Sequence, residues 1–171
     1  VADGVRESLE RVRRRRDREE VPLPVPWPGL AAELGGGLWP GTFALLVGNT
    51  GAGKSQWAMQ LAWRVANAGN PVLYVSLEVD RYSMHCCALA LAARDLDAAN
   101  APKWSALYYG EVSGEELALA ERAADRVESH RHFRLEVGSP SGWDYMRLRE
   151  LVASVRESHP GKPVLVVLDE P

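Results

Sequence analysis

Three runs of the chain are apolar at nearly every position: Phe43–Val47, Val72–Leu77 and Val164–Leu168. Short apolar runs without an alternating polar face suit strands buried on both sides, as in a parallel sheet. Between them the pattern turns helical. Residues 54–68 repeat apolar positions at helical spacing, then meet Gly69 and Pro71, which mark a helix end. Residues 80–95 predict a second helix, and residues 97–112 are less regular. Ser113 with Glu116 has capping-box spacing and opens a helix to about Ser129. Phe133–Val137 predicts a strand. Ser141 with Asp144 repeats the cap spacing ahead of a helix to about Ser158, and Gly161 and Pro163 break the chain before the last apolar run. Strands alternating with helices predict an α/β fold, a mostly parallel sheet with helices on both faces.

The N-terminal part reads differently. Residues 3–20 place Val5, Leu9 and Val12 on one helical stripe, with Glu7–Arg11 and Glu10–Arg14 at ion-pair spacing. Seven arginines face six acids there, so the segment is nearly neutral and predicts a solvated or partner-docked helix. The stretch "VPLPVPWPGL" from Val21 to Leu30 is proline-rich and predicts a stiff, extended tether. The expected organisation is a helix over residues 1–20, a linker over 21–29 and an α/β core over 30–171.

Composition narrows the function only a little. A chain of 171 residues can bury a real core as one domain. The formal net charge of -3 gives no reason to expect a strongly basic nucleic-acid binder, although charge can be local. The cysteines Cys86 and Cys87 are adjacent, unsuited to an ordinary structural disulfide between them, so the cytoplasm is the expected compartment. No apolar run is long enough to span a membrane.

The chemistry concentrates in "GNTGAGKS", Gly48 to Ser55, which fits G-x-x-x-x-G-K-[ST] at every fixed position. Such a loop wraps polyphosphate in backbone N–H groups, and its glycines let the chain turn and approach closely. The positive end of the following helix faces the phosphates. The expected nucleotide contacts are Gly48, Asn49, Thr50, Gly51, Ala52, Gly53, Lys54, Ser55 and Gln56. Lys54 reaches the β- and γ-phosphates and Ser55 ligates Mg²⁺. Two further strand ends complete the set. "PVLVVLDEP" ends its apolar run in Asp169, a Walker B pattern whose carboxylate holds the Mg²⁺ shell, with Glu170 beside it. "PVLYVSLEVD" carries Glu78 past the end of another run, at the sheet edge where ligands bind.

Taken together, "WPGLAAELGGGLWPGTFALLVGNTGAGKSQWAMQLA", "PVLYVSLEVD" and "PVLVVLDEP" resemble a RecA-like P-loop ATPase core over roughly residues 25–171. They look most like the C-terminal ATPase domain of DnaB-type replicative helicases, with KaiC- and RadA-like ATPases as relatives. The Gly-Gly-Leu-x-Pro-Gly turn at Gly36–Gly41 and the Ser76–Glu78 tripeptide carry that likeness. The resemblance implies ATP and Mg²⁺ as ligands, with Glu78 as the general base. It further implies sites shared between subunits of a homo-oligomeric ring, such as a hexamer, and movement along single-stranded DNA. Residues 3–20 would correspond to the helicase linker that docks on a neighbour. The DNA-binding loops and the basic finger for the next site are expected beyond Pro171, in a longer protein. A KaiC-type regulatory ATPase and a binding-only nucleotide switch are the alternatives. Two positions depart from the DnaB pattern: Glu170 stands where Tyr is usual, and Cys87 where Arg is usual.

Other candidates read as structural. Trp57 and Trp63 on the loop helix need not share a face. Cys86 and Cys87 next to His85 are read as core, and His130 and His132 have no evident partner. Trp104, Tyr108 and Tyr109 fall in an irregular stretch where a base could stack, with a packing role preferred.

Overall fold

The computed structural model describes residues 2–138 and 140–170. Its chain forms two compact units, one up to Leu45 and one from Leu46 onward.

In the first unit, α1 (Ala2–Arg16) ends in four arginines, and the chain then turns at Arg18, whose φ is 60°. Arg11, Arg14 and Arg15 all reach the Glu20 carboxylate, at 2.9, 3.4 and 3.3 Å. Those partners replace the expected helical pairs with Glu7 and Glu10. The hydrogen bond from Arg11, foremost, holds the Glu20 carboxyl below its usual range. Val5, Leu9 and Val12 remain exposed. The proline-rich segment lies within this unit. Leu23 pairs antiparallel with Leu38, and α2 (Pro28–Glu33) follows with its proline in the first turn. Gly37 makes the pairing possible, since a Cβ there would overlap the Leu23 carbonyl.

The second unit is built on a parallel sheet. β1 (Val72–Ser76) lies between β2 (Phe133–Val137) and β3 (Leu165–Asp169), and both pairings are parallel. The register sets Ser76 beside Asp169 on one side and Val137 on the other. Every residue of β1 is buried, as expected of a central strand with both faces covered. Leu73 and Val75 pack with Val155, Leu148, Leu151 and Val152 of α7 (Tyr145–Ser158). Strand alternation turns Tyr74 and Ser76 to the other face, where the Tyr74 hydroxyl lies 3.2 Å from the Ser55 carbonyl oxygen of α3 (Lys54–Asn67). Helices therefore cover both faces, and the fold is the expected α/β arrangement, a parallel sheet consistent with part of a RecA-like core.

α3 anchors itself through Met59, Leu61, Ala62, Trp63, Val65 and Ala66, all buried. Trp63 is fully buried; its indole N–H donates to Asp95 at 2.8 Å, and its ring meets Phe133 edge-on. Arg64 and Asn67 also donate to that carboxylate. Asp95 belongs to α4 (Arg81–Leu96), which packs against α3, α5 (Trp104–Tyr109) and α6 (Gly114–Glu128). The expected capping box at Ser113 and Glu116 is formed in full.

The stretch 97–112, read as less regular, carries the helix α5, and two further expectations need correction. Phe43–Val47 is not a strand: Phe43, Leu45 and Val47 are 88, 76 and 78% exposed, and no ladder includes them. Apolarity selects for burial, but a strand also needs a neighbour for its N–H and C=O groups. Both edges of β1 are taken, and among the described residues no strand pairs with this run. The second correction concerns the start of α7. Its N-cap is Asp144, whose side chain accepts from the Arg147 N–H at 2.8 Å, while Ser141 lies in a short 3-10 turn.

Candidate functional site

The loop from Gly48 to Gly53 leads directly into α3. Gly53 is the N-cap residue, in the left-handed region at φ 84°, where a side chain would add strain. Gly51, at φ 78°, shares that conformation. No side chain caps α3, and its first turn contains no acid. The amide N–H groups at the head of the helix therefore keep their positive polarity for an anion. The Ala52 N–H donates to the Asn49 carbonyl at 3.1 Å, closing the turn. Lys54 folds back over the loop, its ammonium donating to the Gly48 carbonyl at 3.2 Å. These are weak tethers on an exposed loop, and the ammonium can exchange them for phosphate oxygens.

Ser55 and Asp169 are 114 positions apart in the chain, and the fold brings them together. The Ser55 hydroxyl donates to Asp169 Oδ1 at 3.1 Å. Asp169 closes β3 beside Ser76 and is only 9% exposed. Its other oxygen, Oδ2, accepts from the Tyr74 hydroxyl at 3.0 Å. The donor set is all oxygen and suits a small hard cation. Because the Ser55 proton is directed at Asp169, lone pairs on the Ser55 oxygen remain available. Those residues fit Mg²⁺.

Tyr74 was not expected at this site. Its place within an apolar run marks it as a strand filler, and only its hydroxyl distinguishes it. Burial foremost, with the Asp169 carboxylate beside it, pushes that hydroxyl far above the ordinary phenol range. It is therefore a hydrogen-bond donor at every physiological pH.

The two glutamates lie on exposed positions next to the strand ends. Glu78 lies in the bend just past β1 and is exposed. The bend is fixed by Ser76, whose buried hydroxyl donates to the Val79 carbonyl at 3.0 Å. Leu77 N–H donates to the Asp169 carbonyl at 2.8 Å, so the ends of β1 and β3 are tied together. Glu170 directly follows Asp169 and is exposed where Asp169 is buried. That change follows from strand alternation, which turns neighbouring residues to opposite faces.

The aromatic candidates contact one another, although Tyr109 is 70% exposed. Tyr108 lies against Tyr82, Trp104 and Tyr109 at 5.3, 6.2 and 5.0 Å between ring centres. The Tyr82 hydroxyl is bonded to the carbonyls of Leu107 and Tyr108. Cys86 and Cys87 are free thiols on α4, and burial pushes Cys87 up to about 11, leaving it protonated and inert. His130 lies 5.1 Å from the Trp63 ring. A cavity of about 320 Å³ runs between α3 and α4, bordered by Gln56, Gln60, Cys87, Arg94 and Trp104. It includes Gln56 but none of Gly48–Ser55, Glu78 or Asp169. Among the described residues no helix is long and apolar enough to cross a membrane.

Comparison with known proteins agrees with this geometry. The family model described as "ATPase: KaiC" matches residues 24–101, a span that holds the loop, Tyr74 and Glu78. The DNA repair protein RadA of Mycobacterium tuberculosis, in strains CDC 1551 / Oshkosh and ATCC 25618 / H37Rv, is 44% identical over 57 residues. That alignment covers 33% of this chain and 12% of the length of those relatives. The KaiC match and the partial RadA match, with the parallel sheet beneath the loop, support a RecA-like P-loop ATPase.

Proposed function

We propose that the chain binds Mg-ATP at Gly48–Gln56 and hydrolyses it, and that hydrolysis drives work on DNA. The observation that carries the site is the Ser55–Asp169 hydrogen bond of 3.1 Å beside the uncapped head of α3. A phosphate clasp and a pair of hard oxygen donors then adjoin, as an ATP-Mg²⁺ complex requires. Bound Mg²⁺ would neutralise charge on the phosphoryl oxygens.

The protein's own groups divide the remaining tasks. The amides of the loop and of the α3 head bind phosphate oxygens, and Lys54 gives up its carbonyl tethers to meet the β- and γ-phosphates. Ser55 and Asp169 hold the cation. Glu78 acts as general base on the attacking water. It comes from a separate strand end and approaches the water from its own direction. Glu170, turned from Asp169 by alternation, has a lesser part in orienting the metal shell.

DNA enters through likeness. The RadA relatives are named for DNA repair, and the Gly36–Gly41 turn with Ser76–Glu78 resembles DnaB-type helicases. A ring of copies acting on single-stranded DNA is the assembly consistent with both. Its test is ATP turnover by the full-length protein with and without single-stranded DNA. Turnover that rises with the strand supports the reading. Mg-ATP binding without any turnover replaces it with a nucleotide switch, and turnover indifferent to DNA replaces it with a KaiC-type regulatory ATPase.

A further inference from the structure

Among the described residues, Tyr74 is a buried polar side chain that touches both Asp169 and the backbone of Ser55. Its hydroxyl is 3.0 Å from Asp169 Oδ2 and 3.2 Å from the Ser55 carbonyl oxygen. A phenol has a single proton. With two acceptors in reach, the proton goes to the ionised carboxylate, because charge-assisted hydrogen bonds are the stronger kind. The tyrosine cannot leave this position cheaply. It is fully buried in the central strand, and its neighbours Leu73 and Val75 are held on the other face by α7.

We infer that Tyr74 is a positioning residue that fixes the Asp169 carboxylate for Mg²⁺ by occupying Oδ2, which leaves Oδ1 to pair with Ser55. The inference rests on the proposed Mg-ATP site. A carboxylate is free to turn about its last bond, and intermediate turns would swing both of its equivalent oxygens away from their partners. With Oδ2 bonded to a rigid phenol, the carboxylate has one orientation. In that orientation Oδ1 accepts the Ser55 proton and keeps the serine lone pairs directed outward. Tyr74 also lies between β3 and the first turn of α3, its hydroxyl 3.2 Å from the Ser55 carbonyl oxygen, so the bonded carboxylate oxygen is kept beside α3. Without the phenol, a nearly buried oxygen would lose its donor and the carboxylate would seek another partner.

The test compares ATP affinity of the full-length protein in excess Mg²⁺ with its affinity in EDTA, by isothermal titration. The ratio of the two reports the metal contribution and cancels general damage to the phosphate loop. Tyr74→Phe should lower the ratio by about 10–100-fold, the usual cost of losing a group that orients a metal ligand. Its affinity in EDTA should stay at the parental value. In an Asp169→Asn background, the same Tyr74→Phe change should leave the ratio where it was. A parental ratio in Tyr74→Phe overturns the inference, and so does an equal fall in the Asp169→Asn background. If the parent itself shows no Mg²⁺-dependent ATP binding, the site reading falls and takes the inference with it. A second measurement needs no substitution at Tyr74. The hydroxyl proton of this residue, followed by NMR in the parent with bound ATP, should shift when Mg²⁺ is added. An unmoved resonance, in protein whose ATP affinity does respond to Mg²⁺, overturns it as well.

Discussion

Val72–Ser76 and Phe43–Val47 are much alike as sequence: each is a five-residue, mainly apolar stretch a residue or two ahead of a proposed site residue. Their surroundings differ completely. Val72–Ser76 lies between two parallel partners with every residue buried, while Phe43, Leu45 and Val47 stand largely in solvent. Both runs have the apolarity of a buried strand, but only one has neighbours for its backbone groups. The consequence reaches the phosphate loop, which lies between Phe43–Val47 upstream and α3 downstream. Its downstream flank is fixed by a buried helix face and the Ser55–Asp169 bond. The loop is held from one side.

The largest expected effect tests the anchored side. Trp63→Ala removes a fully buried ring from α3 and leaves Asp95 without its indole donor. It should cost about 3–5 kcal/mol of stability, the range for large aromatic truncations in a core, measured by urea unfolding. A cost near that of a surface change would mean α3 is not the anchor.

A smaller effect separates the strand ends. Glu78→Gln should keep ATP affinity near the parental value and slow single-turnover hydrolysis at least about 10²-fold, the low end for a general base. Glu170→Gln should slow it less, because alternation turns Glu170 away from the Asp169 side. Hydrolysis that survives the first change and collapses with the second would exchange their roles.

Lys54→Ala probes the loop itself. Among the described residues its ammonium bonds only loop carbonyls, at 3.2 and 3.5 Å, so the fold should be kept, with an unchanged circular dichroism spectrum. ATP affinity should fall roughly 10–100-fold, the equivalent of a hydrogen bond to a charged group. Undiminished affinity would remove the lysine from the phosphate contacts.

The comparison of the two runs also explains what could be read in advance. The longer helices and the strands of the sheet were legible because each carries a local signal: helical periodicity with a Gly69 stop, the Ser113–Glu116 box, the Val72–Leu77 and Val164–Leu168 runs; the six-residue helices α2 and α5 are too short to show a period and were not. The pairing of Ser55 with Asp169 was legible because two sequence patterns, each with its own chemistry, implied one ion. Tyr74 was not legible, since the hydroxyl matters only once β1 and β3 are in register and α3 lies across them. The Arg11, Arg14 and Arg15 contacts to Glu20 were also hidden, because they depend on the turn at Arg18 rather than on helical spacing. The start of α7 was misread by three positions. Ser141 and Asp144 are both good caps by type, and only the backbone decides which one the helix uses.

The smallest expected effect bears most directly on the comparison. Phe43→Ser combined with Leu45→Ser replaces two side chains that are 88 and 76% exposed. Substitutions at exposed positions away from caps and strained turns usually change stability by less than about 0.5 kcal/mol, so urea unfolding should barely move. The same pair of changes in a strand buried on both faces would cost several times more, as truncation of buried apolar side chains does. The measurement should be made twice, with and without Mg-ATP. A loop held only through α3 transmits nothing upstream, and the double variant should then match the parent in both conditions. A cost that appears only with nucleotide bound would mean that the run gains a partner when the loop closes on phosphate. A cost in both conditions would mean that Phe43–Val47 is buried in the working protein, as its apolarity first suggested, and the contrast with Val72–Ser76 would disappear.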